Sequence, residues 1–284
     1  MSQLSVVIAG HVCIDHNRSE HANYTSWGSS TLYMAQVFTK QYGAAATVLA
    51  NYGPDLVPYL LPSVVLMPRE PSHAHTLIYE NDTSARDGKR VQHCHNVDAA
   101  TPAPLTVEAK NLLATADIVV LAVLLPNYSV DYVRELLACA APTALKVLGA
   151  AQGYFRQVDS DGLVRPRVFD EAEGIVRQFD LVVYSEEDCP DAFAVAQNWK
   201  RMAPDTQIVV TQSSKGASIV YADHIELVPT IPIPPEKIVD SVGCGDTFAA
   251  ALATAYRDTN DLVSAVKAAH KVAGKKLRTV TPKD

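Results

Sequence analysis

The chain has 284 residues, of which 48% are apolar and 19% charged, and a formal net charge of −7. The low charged share leaves a large core to bury. No block of like charge occurs, which argues against a basic nucleic-acid or anionic-membrane footprint, although a local site can oppose the global sign.

The predicted elements follow in chain order. Residues 1–10, MSQLSVVIAG, lack a basic start and a cleavage site and read as a first buried strand, not a signal peptide. Further strands are expected at 46–51, 63–68, 118–124, 144–149, 180–185, 207–213 and 216–222, where short β-branched runs stand. Helices are expected at 29–42, 105–114, 128–140, 169–178, 190–202, 246–257 and 259–274. The longest apolar run, 116–126, is too short to span a bilayer. Five cysteines, Cys13, Cys94, Cys139, Cys189 and Cys244, show no paired spacing, so free thiols in a reducing cytoplasm are expected. Apolar strands that alternate with helices predict a doubly wound α/β fold with a mainly parallel sheet.

Two regions break the alternation. Residues 11–28 are polar and aromatic, and 72–97 alternate like a hairpin with Asp87-Gly88 as its turn. Both are read as segments of a small β lid inserted in one domain that spans 1–284. The proline cluster at 229–235 reads as an extended edge segment.

The stretch 240–248, DSVGCGDTF, opens an alanine-rich helix. A helix N-terminus offers unpaired N–H groups and positive dipole. Two glycines there allow close approach, so the N–H groups of Gly243, Cys244 and Gly245 can converge on a phosphate. A carboxylate at Asp246 would repel that phosphate unless it serves another group. Asp246 therefore reads as the base that takes the proton of an attacking hydroxyl, with its pKa held low by the helix end. Cys244 is expected to be reactive for the same electrostatic reason. The alternative is a capped glycine turn without a ligand.

This stretch resembles the C-terminal signature of the ribokinase/PfkB carbohydrate kinase family, D-T-x-G-A-G-D-x-F. Residues 8–16, IAGHVCIDH, place Asp15 where the family has a substrate-hydroxyl aspartate. YGPD at 52–55 is similar to the family's G-x-D and supplies Asp55. LGAAQGYFR at 148–156 resembles the D-x-Q-G-x-x-R of an inositol-kinase-like branch and supplies Gln152. YSEED at 184–188 stands where the family has N-x-x-E, which makes Asp188 an outer-shell magnesium residue. TQSSKGASIVY at 211–221 is similar to the nucleotide segment, with Thr211, Ser213, Lys215 and Gly216, and AAHKVAG at 268–274 to the adenine-lining helix, with His270 and Ala273. Gly28, Ser29, Ser30 and Tyr33 fall in the place of the family's glycine pair and asparagine. The chain departs from the pattern there, and also at Ala150, Ser185, Asp188, Ser213 and Cys244.

The resemblance implies a three-layer α/β sandwich, ribokinase-like, with a small β lid. It implies ATP-dependent phosphorylation of an alcohol with ATP and Mg²⁺ as cofactors and a monovalent cation as a further candidate. A neutral polyol such as inositol is the first expected acceptor and a nucleoside the second. A ligand-binding protein without catalysis, and a homodimer joined through the lid edge, are the other readings weighed. HCH at 93–95 with His73 or His75 is a candidate zinc set. Arg86, Lys89 and Arg90 flank the lid turn, Arg156 pairs with a carboxylate or faces a ligand, and Tyr24 and Trp27 are candidate stacking faces.

Overall fold

The computed structural model describes residues 3–18, 23–60, 62–82, 84 and 91–279. Its main sheet collects nine strands: β1 (Ser5–Gly10), β4 (Ala45–Leu49), β5 (Val65–Met67), β8 (Ile118–Ala122), β9 (Leu145–Ala150), β12 (Leu181–Ser185), β13 (Gln207–Thr211), β14 (Gly216–Val220) and β15 (Ile225–Pro229). Their spatial order is β15-β14-β13-β12-β9-β8-β1-β4-β5. Neighbours are parallel from β5 to β13, and β14 and β15 close the sheet antiparallel.

Alternation along the strands gives each face its own core. Ile8, beside Val48 and Val120, faces Phe38 of α1 (Ser30–Tyr42), Leu252 of α6 (Cys244–Thr259) and Val266 of α7 (Leu262–Lys276). Val7, Val119 and Leu121 face the opposite helix layer: α2 (Val107–Leu113), α3 (Val130–Ala138), α4 (Ala172–Val176) and α5 (Ala192–Met202). Helix α6 is buried from Thr247 to Thr254, and its alanines let it sit between α1 and α7. Truncating Leu252, fully buried there, to Ala would cost about 2–5 kcal/mol.

A second sheet of four strands lies over one end. Its order is β3-β2-β6-β7, with β2 (Cys13–Arg18), β3 (Asn23–Gly28), β6 (Leu77–Asp82) and β7 (Val91–His95). Cys13, Leu77, Tyr79 and Cys94 pack it on Leu124 and Leu125 beyond β8. The register aligns Asp15 with Ser26 and Tyr79, Asn17 with Tyr24 and Asn81, and Asn81 with Gln92, so these side chains share one face. The Asp87-Gly88 turn and Arg86, Lys89 and Arg90 lie outside the described residues.

Two features differ from the sequence reading. β15 is a full strand paired with β14, where no strand was expected; it ends at Pro229, the first residue of the proline segment read as an extended edge. A short hairpin, β10 (Arg156–Val158) with β11 (Val164–Pro166), follows the QGYF turn and bridges to β7 through His93 and Leu163. Among the described residues, no helix is long and apolar enough to cross a membrane.

Candidate active site

A cavity of about 410 Å³ lies between the lid and the C-terminal ends of β9, β12 and β13, the usual ligand crevice of an open parallel sheet. The N-terminus of α6 opens into it. Gly243 is the N-cap with φ 72°, a left-handed conformation that glycine adopts freely. A Cβ there would come within 2.4 Å of the Tyr33 ring, so the ring rests on the bare glycine. Gly245 faces open space, with nothing within 4 Å of a Cβ position. The N–H of Cys244, expected to point at the ligand, instead donates to the Ser241 carbonyl at 3.1 Å.

Asp246 sits in the first turn of α6 and lines the cavity. Its pKa is pushed up to about 6, first by burial and then by the negative charges of Asp188 and Asp15. A hydrogen bond from Ser30 and the charge of Arg156 oppose the rise. This corrects the expectation of a pKa held low: desolvation outweighs the helix end. A hydrogen-bonded chain supports the carboxylate. Arg156 donates to Gln152 Oε1 at 2.7 Å, Gln152 Nε2 donates to Ser30 Oγ at 3.1 Å, and Ser30 bonds Asp246. Cys244 is also corrected. Burial raises its thiol pKa despite the nearby Lys276, and Sγ points to the Ala273 carbonyl at 3.8 Å, so the thiolate is disfavoured.

The structure brings most of the expected residues together. Asp15, Ser29, Ser30, Tyr33 and Gln152 line the cavity from the lid and sheet side, and Asp188 and Thr211 from the strand ends. Gly28 lies under Asp15: a Cβ would come within 2.2 Å of its carboxylate. Ser29 holds φ 94°, a glycine-like backbone, and caps α1 by accepting the Leu32 N–H at 3.3 Å.

Other expected residues stand apart. Asp55 does not line the cavity. It accepts the Thr76 N–H at 2.9 Å and the Thr76 hydroxyl at 2.6 Å, and so ties the loop after β4 to the lid. Ser213, Lys215, Gly216, His270 and Ala273 also lie outside the cavity walls. Lys215 is 3.7 Å from Glu186, and His270 bonds the Val228 carbonyl at 3.1 Å and packs near Phe248. Gly216 permits the close pass of β15, since a Cβ would meet the Val228 carbonyl oxygen at 2.3 Å. Trp27 is buried against Tyr33 rather than open for stacking, whereas Tyr24 lines the cavity. Among the described residues no three His, Cys, Asp or Glu side chains form a metal-holding group, so the zinc set gains no support. His95 pairs with Glu80 at 3.3 Å instead. Buried His11 accepts the Leu124 N–H at Nδ1, and its pKa falls to about 4, chiefly from burial.

The sequence reading missed an amide ladder on the inner lid face. Gln92 donates to Asn81 at 2.7 Å, and Asn81 donates to Asn17 at 3.2 Å. All three line the cavity, as do Tyr79 and Arg18. The signal was available: Asn17 lies two residues after Asp15 on one strand and must share its face.

Residues 85–281 match the model of the pfkB family carbohydrate kinases. The chain belongs to that family. Bifunctional protein HldE from Shewanella baltica is 29% identical over 181 residues, which cover 62% of this chain and 35% of that protein. The chain thus matches about a third of the length of these curated relatives. Among solved structures, a pyrophosphate-dependent kinase in the ribokinase family, complexed with a pyrophosphate analog and myo-inositol, superposes with TM-score 0.76 at 17% identity. The match covers 98% of this chain and 97% of that one. Ribokinase from Arabidopsis thaliana, complexed with ribose and ATP, superposes with TM-score 0.68 at 15% identity over 100% and 95% of the two chains. At such identities the likeness shows a shared ribokinase fold. pfkB family members are carbohydrate kinases, phosphotransferases with an alcohol group as acceptor.

Proposed function

We propose that this pfkB family protein phosphorylates a hydroxyl of a neutral sugar or polyol, with Asp246 as general base and an anion hole at Gly243 and Gly245. The observation that carries the reading is the pairing at the α6 mouth. A carboxylate with pKa near 6 stands beside a glycine that faces open space. The acceptor hydroxyl attacks the terminal phosphorus of the donor. A new O–P bond forms, the bridging O–P bond breaks, and Asp246 takes the hydroxyl proton as the N–H groups hold the phosphoryl oxygens. Asp15 and the Asn17, Asn81 and Gln92 amides form a neutral-to-acidic bed suited to vicinal hydroxyls.

Magnesium fits the carboxylates around this cavity. The charges of Asp188 and Asp15 push up the pKa of Asp246, so hard oxygen donors of like charge stand close enough here to act on one another. We assign Asp188 to the outer shell, where it orients water; bound Mg²⁺ would neutralise charge on the donor phosphates. ATP is the first donor, with Thr211 beside the phosphates and Ser213, Lys215, Gly216, His270 and Ala273 toward the nucleoside. Pyrophosphate is the second reading. Those last five residues lie outside the cavity walls, while the glycine turn proposed to receive the anion opens into the cavity itself. We also propose that the chain works as one cytoplasmic domain. Its self-association would use β3, because the outer edge of β7 already receives the Gly162 carbonyl from the hairpin side.

The test is a panel of inositol, ribose, fructose, adenosine, cytidine and a sugar phosphate with Mg-ATP or Mg-pyrophosphate, read by product release. Preferred turnover of a neutral polyol or sugar is expected. In Asp246→Asn, turnover should fall by about 10²-fold or more while donor affinity stays within a few-fold. A nucleoside favoured by more than about tenfold, or 1.4 kcal/mol, would overturn the acceptor assignment. Donor binding with no acceptor-dependent turnover would leave the ligand-binding reading.

A further inference from the structure

Asp240 lies in the loop that leads into Gly243. Its Oδ1 accepts the Val242 N–H at 2.9 Å, which curls the chain toward the turn. Its negative charge also reaches the cavity. With Asp15 it helps raise the hydroxyl pKa values of Tyr24 and Tyr33, second to burial. Uncompensated, that charge would oppose any anion received at Gly243 and Gly245.

Lys276, in the last turn of α7, answers it. Nζ stands 3.3 Å from Asp240 Oδ2 and 3.5 Å from the Asp240 carbonyl oxygen. The two side chains are only 14% and 19% exposed. A pair so withdrawn from water is less screened than a surface ion pair. The ammonium field extends to the first residue of α6, where it opposes the burial-driven rise of the Cys244 thiol. A backbone bond runs beside it: Val239 N–H donates to the Leu277 carbonyl at 2.8 Å. The end of α7 is therefore clamped to the loop by backbone and by charge.

We propose that Lys276 is a positioning residue, a built-in cation behind the anion hole that neutralises Asp240 and holds residues 240–243 in the anion-receiving shape. The proposal rests on the kinase reading of the same site. With its ammonium 3.3 Å from Asp240 Oδ2, Lys276 supplies the positive charge that this carboxylate requires, so the wild-type protein needs no free cation to neutralise it.

The competing role is a clip that matters only for stability. Lys276→Met keeps the aliphatic stem and removes the charge, and Lys276→Arg keeps the charge. Inorganic pyrophosphate, the anionic element common to both donors, serves as the probe in calorimetric titrations with Mg²⁺. The Met variant should bind it at least about tenfold more weakly, and the Arg variant within about threefold of wild type. Added K⁺ or methylammonium should recover most of the loss in the Met variant and leave wild type unchanged. Lys276→Gln, which keeps a donor for the Asp240 carbonyl, should behave like Met. Wild-type affinity in the Met or Gln variant would overturn the proposal. So would a loss shared by Arg, or one that no small cation relieves. The titration needs no acceptor. Wild-type protein that binds pyrophosphate and phosphorylates nothing would therefore sink the kinase reading, and the Lys276 comparison would still be decided.

Discussion

Asp246 meets two opposed demands. As the proposed general base it must stay ionised to accept a proton, yet burial and the charges of Asp188 and Asp15 favour its protonated form. The resulting value of about 6 suits a base that works near neutrality, because a weaker base would accept the proton poorly. The sign follows directly. Turnover should be flat above pH 7 and fall as pH drops through about 6, where Asp246 becomes protonated. Ser30 lowers the value by its hydrogen bond, so Ser30→Ala should move this acid limb to higher pH as well as slow the reaction. Profiles of kcat against pH at saturating substrates check it, and coincident limbs in the two proteins would refute the coupling. The sequence shows Asp246 because its motif is contiguous. It hides the pKa, which depends on Ser30, Asp188, Asp15 and Arg156 from four separate segments.

At the level of the element, the first turn of α6 separates folding from function. Gly245 has helical geometry with open space where a Cβ would stand. Alanine is the better helix former, so Gly245→Ala should stabilise the protein by about 0.5–1 kcal/mol. The same methyl would intrude where the phosphoryl group is proposed to sit, and turnover should drop by about 10²-fold or more. Thermal melts and kinetics on one preparation test both halves. A variant that is more stable and fully active would remove Gly245 from the site. The loop after β13 makes the complementary case. Ser213 holds φ 47°, a left-handed conformation, where the family resemblance has glycine. Ser213→Gly should relieve that strain, less the entropy glycine adds to the unfolded chain, for a net gain of up to about 1 kcal/mol. For a chain of this size that raises Tm by up to about 2 °C, and an unchanged or lower Tm would contradict the strain. Strands of the parallel core were legible because their β-branched runs are continuous. β15 was obscured by the prolines that end it, and the β10 and β11 strands are too short to show a period.

Across the whole molecule, two bodies divide the work. On the proposed reading, the main sheet and α6 carry the groups that act on the transferring phosphate, and the lid carries groups that face the acceptor. The lid's general place was legible from the broken alternation at 11–28 and 72–97, but its amide ladder was not, because Asn17, Asn81 and Gln92 meet only through strand register. This division makes a kinetic prediction. Asn81 sits in the middle of the ladder, accepts from Gln92 and donates to Asn17, so among the described residues its side-chain hydrogen bonds stay within the lid. On that reading its removal strips hydrogen-bonding capacity from the proposed acceptor bed and leaves the proposed phosphoryl machinery whole. Asn81→Ala should therefore raise the acceptor KM by about tenfold, near the 1–1.5 kcal/mol of one neutral hydrogen bond, with kcat changed less than about threefold. Asp246→Asn should show the reverse pattern, with kcat lowered and KM little moved. Steady-state kinetics with the best acceptor at saturating donor separate the two. Equal loss of kcat in both variants would mean that the lid ladder shapes the transition state itself, and the division between a binding lid and a reacting sheet would fail.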